Sequence, residues 1–229
     1  MCSTLQIIKM KLLIFDTETT GLPRIKIPAS KESNNWPHIV SISWVILDGI
    51  TNKIEKQRSY IIRPINWTIP EDSIKVHGIT QEKANIEGKE LSKVLGEFLA
   101  ENYDVLVAHN LDFDYNVLYN AICWDLELPF SSLYKKMICS MELSRDICKL
   151  KGNFGSYKSP KLSELYEFVF KKSPNKELLH NSLYDVLVLT EVIQSCDQLR
   201  SKMNLPLNNP LPIKNDNKES NPKVLSFRF

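Results

Sequence analysis

A chain of 229 residues, 43% apolar and 24% charged, is long enough to bury one substantial core and reads as a single globular domain with extensions. Its formal net charge of +2 is too small to mark a general polyanion binder, although a local basic patch beside an acidic pocket remains compatible with it. Cys2, Cys123, Cys139, Cys148 and Cys196 are scattered without a C-x-x-C pair, which argues for reduced thiols, no zinc site and an intracellular protein, and the absence of a long apolar run or a secretory pattern speaks against a spanning or secreted one.

Residues 1–10 form an N-terminal extension. Three β-type runs follow: Lys11 to Asp16, "HIVSISWVILDG" from His38, and "KIEKQRSYIIRP" from Lys53. The short link containing Asp48-Gly49 favours an antiparallel meander for the last two. Between the first two runs, Arg24 to Trp36 is rich in Lys, Ser and Asn and reads as a surface insertion.

After Pro70 the period becomes helical. "EDSIKVHGIT" is a short turn-helix element, and "KELSKVLGEFLAEN" places Leu91, Val94, Leu95, Phe98 and Leu99 on one face. "DVLVAHN" is a short apolar strand, followed by a helix with Phe113, Val117, Leu118 and Ala121 at helical spacing; "KKMICS" is a further short strand. "MELSRDICKL", "KLSELYEFVF" and "NSLYDVLVLTEVIQSCDQL" read as helices. Strands first, then helices alternating with strands, predict an α/β domain over 11–199, a central mixed sheet flanked by helices. A tail over 200–229 is irregular from Leu205, and its apolar end "VLSFRF" suits either a docking peptide for a protein partner such as a polymerase or a segment folded back on its own domain.

The first strand ends on two acids. Residues i and i+2 of a strand share a face, so Asp16 and Glu18 project together, and their mutual repulsion is relieved by a cation. A lone pair of this kind is most simply a solvated turn. Others accompany it: Asp112 and Asp114 open the helix after His109-Asn110, and His180 precedes a helix that carries Asp185 among apolar residues. Asp112 suits helix capping or the helix dipole. His180 and Asp185 would lie about 140 degrees apart if both were helical, so His180 must sit on the loop to reach the same site. Hard carboxylate ligands without cysteine suit Mg²⁺ or Mn²⁺.

The segments "FDTETTGL", "HNLDFD" and "HNSLYD" resemble, in order and separation, the three motifs of the DEDDh (DnaQ-like) 3′–5′ exonucleases. "VHGIT" and "ICSMELSR" with "SPKLSELYEFVF" extend the likeness, which spans Leu12 to Thr190. The resemblance implies an RNase H-like fold and two divalent cations held by Asp16, Glu18, Asp114 and Asp185, with His180 as general base, on a nucleic acid with a 3′ end. Single-stranded or frayed DNA is the leading substrate, in proofreading or repair. RNA is the alternative, and a silent nucleic-acid-binding module is a third reading that the intact acids oppose. Thr19, Thr20, Gly21 and Leu22 would line the site for the terminal nucleotide, with Asn110 as a further contact; Gly21 as a plain turn residue and Asn110 as a helix-start residue are the alternatives. Ser182 departs from the small apolar residue usual at its place in the third motif. Lys149 to Lys161 interleaves four lysines with Phe154 and Tyr157, which suits either a phosphate-tracking loop or a solvated linker.

Overall fold

A computed structural model describes residues 10–130 and 136–208. Strands β1 (Lys11–Thr19), β2 (Ile39–Asp48) and β3 (Ile54–Ile61) form the expected antiparallel meander. Helices α1 (Glu71–His77), α2 (Gln81–Glu87) and α3 (Leu91–Leu99) lead to β4 (Val105–Ala108) and α4 (Leu111–Asn120), which runs into a wider π-turn over Ala121–Asp125. Then come β5 (Lys136–Cys139), α5 (Ser140–Cys148), α6 (Leu162–Phe170), α7 (Ser182–Ser195) and α8 (Asp197–Met203). The sheet order is β3-β2-β1-β4-β5, with β4 and β5 parallel to β1. The expected mixed sheet between helices is the observed one.

Alternation along β1 divides the core. Leu12 and Ile14 pack with Val186, Leu189 and Ile193 of α7, whereas Leu13 and Phe15 pack with Phe98 of α3 and Val117 and Leu118 of α4. Burial of each such side chain is worth about 1.5–3 kcal/mol, so β1 is held from both faces. Parallel pairing of β1 with β4 stops at Ile14 with Val107. Asp16 and Glu18 therefore extend past the end of β4 while remaining paired to β2 opposite Ser43 and Ser41.

Several details differ from the sequence reading. Leu99 is exposed, because it lies about 80 degrees round the helix from Leu91. The helix read through "NSLYDVLVLTEVIQSCDQL" breaks at Cys196, whose extended backbone ends α7 and starts α8. This turn aims Arg200, only 1% exposed, at the β2–β3 connection, where its guanidinium donates to Gly49 O, Ile193 O, Pro206 O and Asn52 Oδ1. With Met203 and Leu205 also buried, the packed region continues past the boundary placed at 199, and the first part of the tail folds back on the domain. The end of the tail, the extension before Met10 and Cys2 lie outside the described residues. Among those described, no helix is long and apolar enough to cross a membrane.

The segment from Arg24 to Trp36 is more than a surface insertion. Ala29 is fully buried; its N–H donates to Asn116 Oδ1 at 2.7 Å and its carbonyl accepts from Trp124 Nε1 at 2.9 Å. Asn35 bonds both backbone groups of Ile25, and Trp36 Nε1 donates to Ile27 O. The backbone of Ala29 ties this loop to α4 and the turn after it, while Asn35 and Trp36 close the loop on itself.

Candidate active site

The site forms where β1 outruns β4. Asp16, Glu18 and Asp185 each offer a carboxylate oxygen, and the three oxygens lie within 4.8 Å of one another. Asp185 reaches the group because α7 lies across β1 and β2. Asp114 lies outside this trio but close enough to act on Asp16 and Glu18: it comes from the α4 layer and its Oδ1 accepts from Thr17 Oγ1 at 2.7 Å and Thr17 N at 3.1 Å. Thr17 is the intervening residue on the opposite face of β1, so the fourth acid approaches from the other side of the strand.

Crowding sets the electrostatics. Burial, then Asp185 and Asp114, push Glu18 up to about 9. Burial, reinforced by Asp114, Glu18 and Asp185, holds Asp16 well above the usual carboxylate range. Asp114 rises to about 7 through burial despite the two bonds from Thr17 that favour its ionised form, and Asp185 rises to about 6 through burial, opposed by the His180 backbone and ring. Carboxylates that resist ionising together at neutral pH form a site adapted to a cation. Asp185 Oδ1 points the same way, being buried with no hydrogen-bond partner among the described residues, a costly state for a carboxylate oxygen unless a ligand satisfies it. The donor set fits hard divalent ions.

His180 is exposed and has φ +62°, and its backbone N–H donates to Asp185 Oδ2 at 3.2 Å. It sits on the loop, as the angular argument required, and the Asn181 side chain accepts from Tyr184 N to start α7 directly after it. Along the first motif, Thr19 Oγ1 donates to Gly21 O and so shapes the turn. Gly21 has φ +140°, a conformation that L side chains avoid. Thr20 Oγ1 accepts from His38 N. Leu22 is 80% exposed, and Asn110 starts α4 without a capping bond from its side chain.

With this geometry in view, the comparisons with known proteins are specific. The sequence matches the profile of the RNase T exonucleases over residues 13–193. The chain belongs to this exonuclease family. It is similar in structure to exonuclease X in complex with 5′-overhanging duplex DNA (23% identity, 86% of this chain and 95% of that one, TM-score 0.56). The nuclease domain of 3′hExo, a DEDDh family member bound to rAMP, matches at 19% identity over 89% of this chain and 98% of that one, with TM-score 0.61. A zinc-bound complex of E. coli exonuclease I with single-stranded DNA matches at 13% identity over 86% of this chain and 41% of that one, with TM-score 0.63. No match was found among curated proteins. The RNase H-like fold and the DnaQ-like exonuclease family expected from the three motifs both stand, and the chain is a hydrolase of that family.

Three features of this exonuclease escaped the sequence reading. Ser182, the departure in the third motif, is buried, and its Oγ lies 3.0 Å from Ser41 Oγ and 2.8 Å from Ser43 Oγ, while Ser43 Oγ donates to Ser59 Oγ. The hydroxyls join the first turn of α7 to the part of β2 facing Asp16 and Glu18; the signal was the serine pair two residues apart in an otherwise apolar strand. Thr17, which the sequence did not single out, orients Asp114 by donating to its Oδ1 from both Oγ1 and N. His109, next to the second motif, is held neutral by burial, its pKa down to about 4, and its Nε2 lies 2.9 Å from Pro160 O. It ties the lysine-rich loop to β4, and Lys158 of that loop is paired with Glu164. His77 is buried and accepts from Ile79 N, a structural placement.

Proposed function

We propose that this exonuclease releases nucleoside 5′-monophosphates from the 3′ end of single-stranded or frayed DNA, in proofreading or repair, with Asp16, Glu18, Asp114 and Asp185 holding two divalent cations, Mg²⁺ or Mn²⁺, and His180 as general base. The convergence of Asp16, Glu18 and Asp185 within 4.8 Å carries the reading. When bound, two such ions supply Lewis-acid stabilisation of charge on the attacking and leaving oxygens at phosphorus.

The protein's own groups supply the rest. Thr17 fixes Asp114 by two hydrogen bonds, so this acid keeps its place whether or not the others are ionised. The His180 ring is free of the helix, and its backbone tether to Asp185 keeps it beside the acids, where a neutral imidazole accepts a proton from the attacking water. Thr19 and Gly21 shape the turn that presents Leu22, and Thr20 and Asn110 flank it; these groups receive the terminal nucleotide. The DNA bound to exonuclease X and to E. coli exonuclease I favours DNA here, and the rAMP bound to 3′hExo makes RNA the second reading.

The test is a matched set of DNA and RNA oligonucleotides labelled at either end, incubated with Mg²⁺ or Mn²⁺, beside EDTA and Asp16→Ala controls. Stepwise shortening of 5′-labelled DNA that chelation and the substitution both abolish is the expected result. Preferential RNA loss selects the second reading, and degradation of neither polymer refutes both.

A further inference from the structure

The segment that follows the first motif carries three cations, Arg24, Lys26 and Lys31, and one acid, Glu32. Arg24, Lys26 and Lys31 are exposed, and among the described residues none has an acidic partner within 4 Å, although salt bridges are frequent elsewhere in the chain. The backbone carrying them is rigidly held. Ala29 is bonded to Asn116 and Trp124, Asn35 clamps Ile25, and Arg24 N donates to Asn35 O. Ordering a loop has an entropic cost, and here the ordering presents unpaired positive charge at fixed positions.

Two cavities flank Leu22. One, of about 510 Å³, has apolar walls from Leu22, Ile27, Pro28, Trp36 and Phe113, with Lys26 and Asp112 also lining it. Trp36 and Phe113 meet with ring centroids 5.7 Å apart. Aromatic and aliphatic walls around a space of this size suit a planar heteroaromatic ring, and a base that enters such a cavity has left its partner strand. The other, of about 380 Å³, is more polar, lined by Arg24, Thr20, Asn34, Asn35 and His38, and shares Leu22 and Trp36 with the first. His38 is fixed there by Asp125 at 2.9 Å and by stacking on Trp67. A guanidinium among amides and hydroxyls suits a phosphodiester, which it binds through paired N–H donors.

We propose that residues 24–38 select the substrate strand: Arg24 holds a backbone phosphate in the polar cavity while the adjoining unpaired base occupies the neighbouring cavity that shares Leu22 and Trp36 with it, so that productive binding requires a 3′ end with at least two unpaired nucleotides. This rests on the exonuclease reading above and names the form of substrate that the site accepts. Lys26 also lines the base cavity and offsets the charge of Asp112 there. The acids of the catalytic cluster repel a strand that lacks cations, and the loop supplies the attraction that they do not.

The experiment compares wild-type protein, Arg24→Ala, Arg24→Lys and Lys26→Ala on 5′-labelled DNA as single strands, duplexes with 3′ overhangs of zero to four nucleotides, and blunt duplexes. Degradation is followed in Mg²⁺, and binding by fluorescence anisotropy in Ca²⁺. Wild-type KM should fall once the overhang reaches two nucleotides. Arg24→Ala should raise KM and the dissociation constant on single strands roughly tenfold or more, the range of a lost charge-assisted contact, with much less change in kcat and little change on blunt duplex. Its dependence on salt should weaken by about one phosphate contact. Arg24→Lys should recover only part of the loss, because an ammonium lacks the paired donors. Equal losses on single strands and blunt duplex, or unchanged single-strand binding, overturn the proposal. If no substrate is degraded by the wild type, the exonuclease reading fails; the anisotropy comparison still decides the role of Arg24.

Discussion

Without metal, the cluster of acids should make folding stability fall as pH rises through the alkaline range. Glu18 is the clearest contributor, its pKa moving from 4.5 to about 9 on folding. A raised folded value means that the stabilisation is complete below the unfolded pKa and is lost as pH climbs toward the folded one. Between pH 7 and 9 the folded protein progressively gives up a proton at Glu18 that the unfolded chain has already released, and at up to about 1.4 kcal/mol per pH unit, tapering near pH 9 where the group is half titrated, this side chain alone removes about 2 kcal/mol. Asp114, at about 7, adds a smaller loss at the start of the window. His109, held neutral with a pKa near 4, acts in the opposite direction but only below its unfolded value near 6.5, so it does not mask the effect. A loss of this size is a large share of a typical domain's 5–15 kcal/mol. The assay is urea unfolding in EDTA at pH 7 and pH 9, repeated with Mg²⁺ or Mn²⁺ and with Glu18→Gln. Metal should flatten the dependence because it takes the place of the proton, and Glu18→Gln should flatten it in EDTA. Metal-free stability that holds constant or rises from pH 7 to 9, with the same slope in Glu18→Gln, would refute the electrostatic account of the site.

Other expectations follow from the neighbours of the acids. His180→Gln should lower kcat by about 10²- to 10⁴-fold, the range for a lost general base, while Mn²⁺ affinity measured by calorimetry stays within a few-fold of wild type. Ser182→Val removes one hydroxyl from the Ser41–Ser182–Ser43 chain and adds bulk; it should destabilise by about 1–3 kcal/mol and weaken Mn²⁺ binding, because Asp185 shares that turn of α7, whereas Ser182→Ala should leave metal affinity close to wild type. Arg200→Ala leaves carbonyls of Gly49 and Ile193 without their donor and opens a cavity, so its denaturation midpoint should drop by the equivalent of about 3 kcal/mol or more with metal binding intact. Unchanged stability in this variant would mean that the region after Cys196 does not belong to the cooperative fold.

The sequence was most legible where periodicity and chemistry coincide. The alternation of Leu12 to Phe15, followed by acids two apart, located both the central strand and the start of the site, and the i to i+5 spacing placed His180 on a loop. What escaped depended on partners distant in the chain. Ser41 and Ser43 look like ordinary strand residues until Ser182 arrives from 139 and 141 positions away. Asn116 gives no local sign that it fastens Ala29 of the 24–36 segment, so that segment looked solvated. Cys196 breaks a helix that propensity would continue, because the packing of Arg200 against the β2–β3 turn outweighs one uninterrupted helix.

The central position of β1 has a further consequence. Asp16 and Glu18 belong to the strand paired with β2 along its length and with β4 up to Ile14, whose amides should exchange with solvent only when the whole domain opens. His180 stands instead on an exposed turn that can rearrange without disturbing the sheet. On the proposed reading, metal affinity would thereby be coupled to global folding, while proton transfer would be tuned locally. Substitutions that soften the core should erode cation binding before they alter the shape of the pH–rate profile, and changes in the loop ahead of α7 should do the reverse.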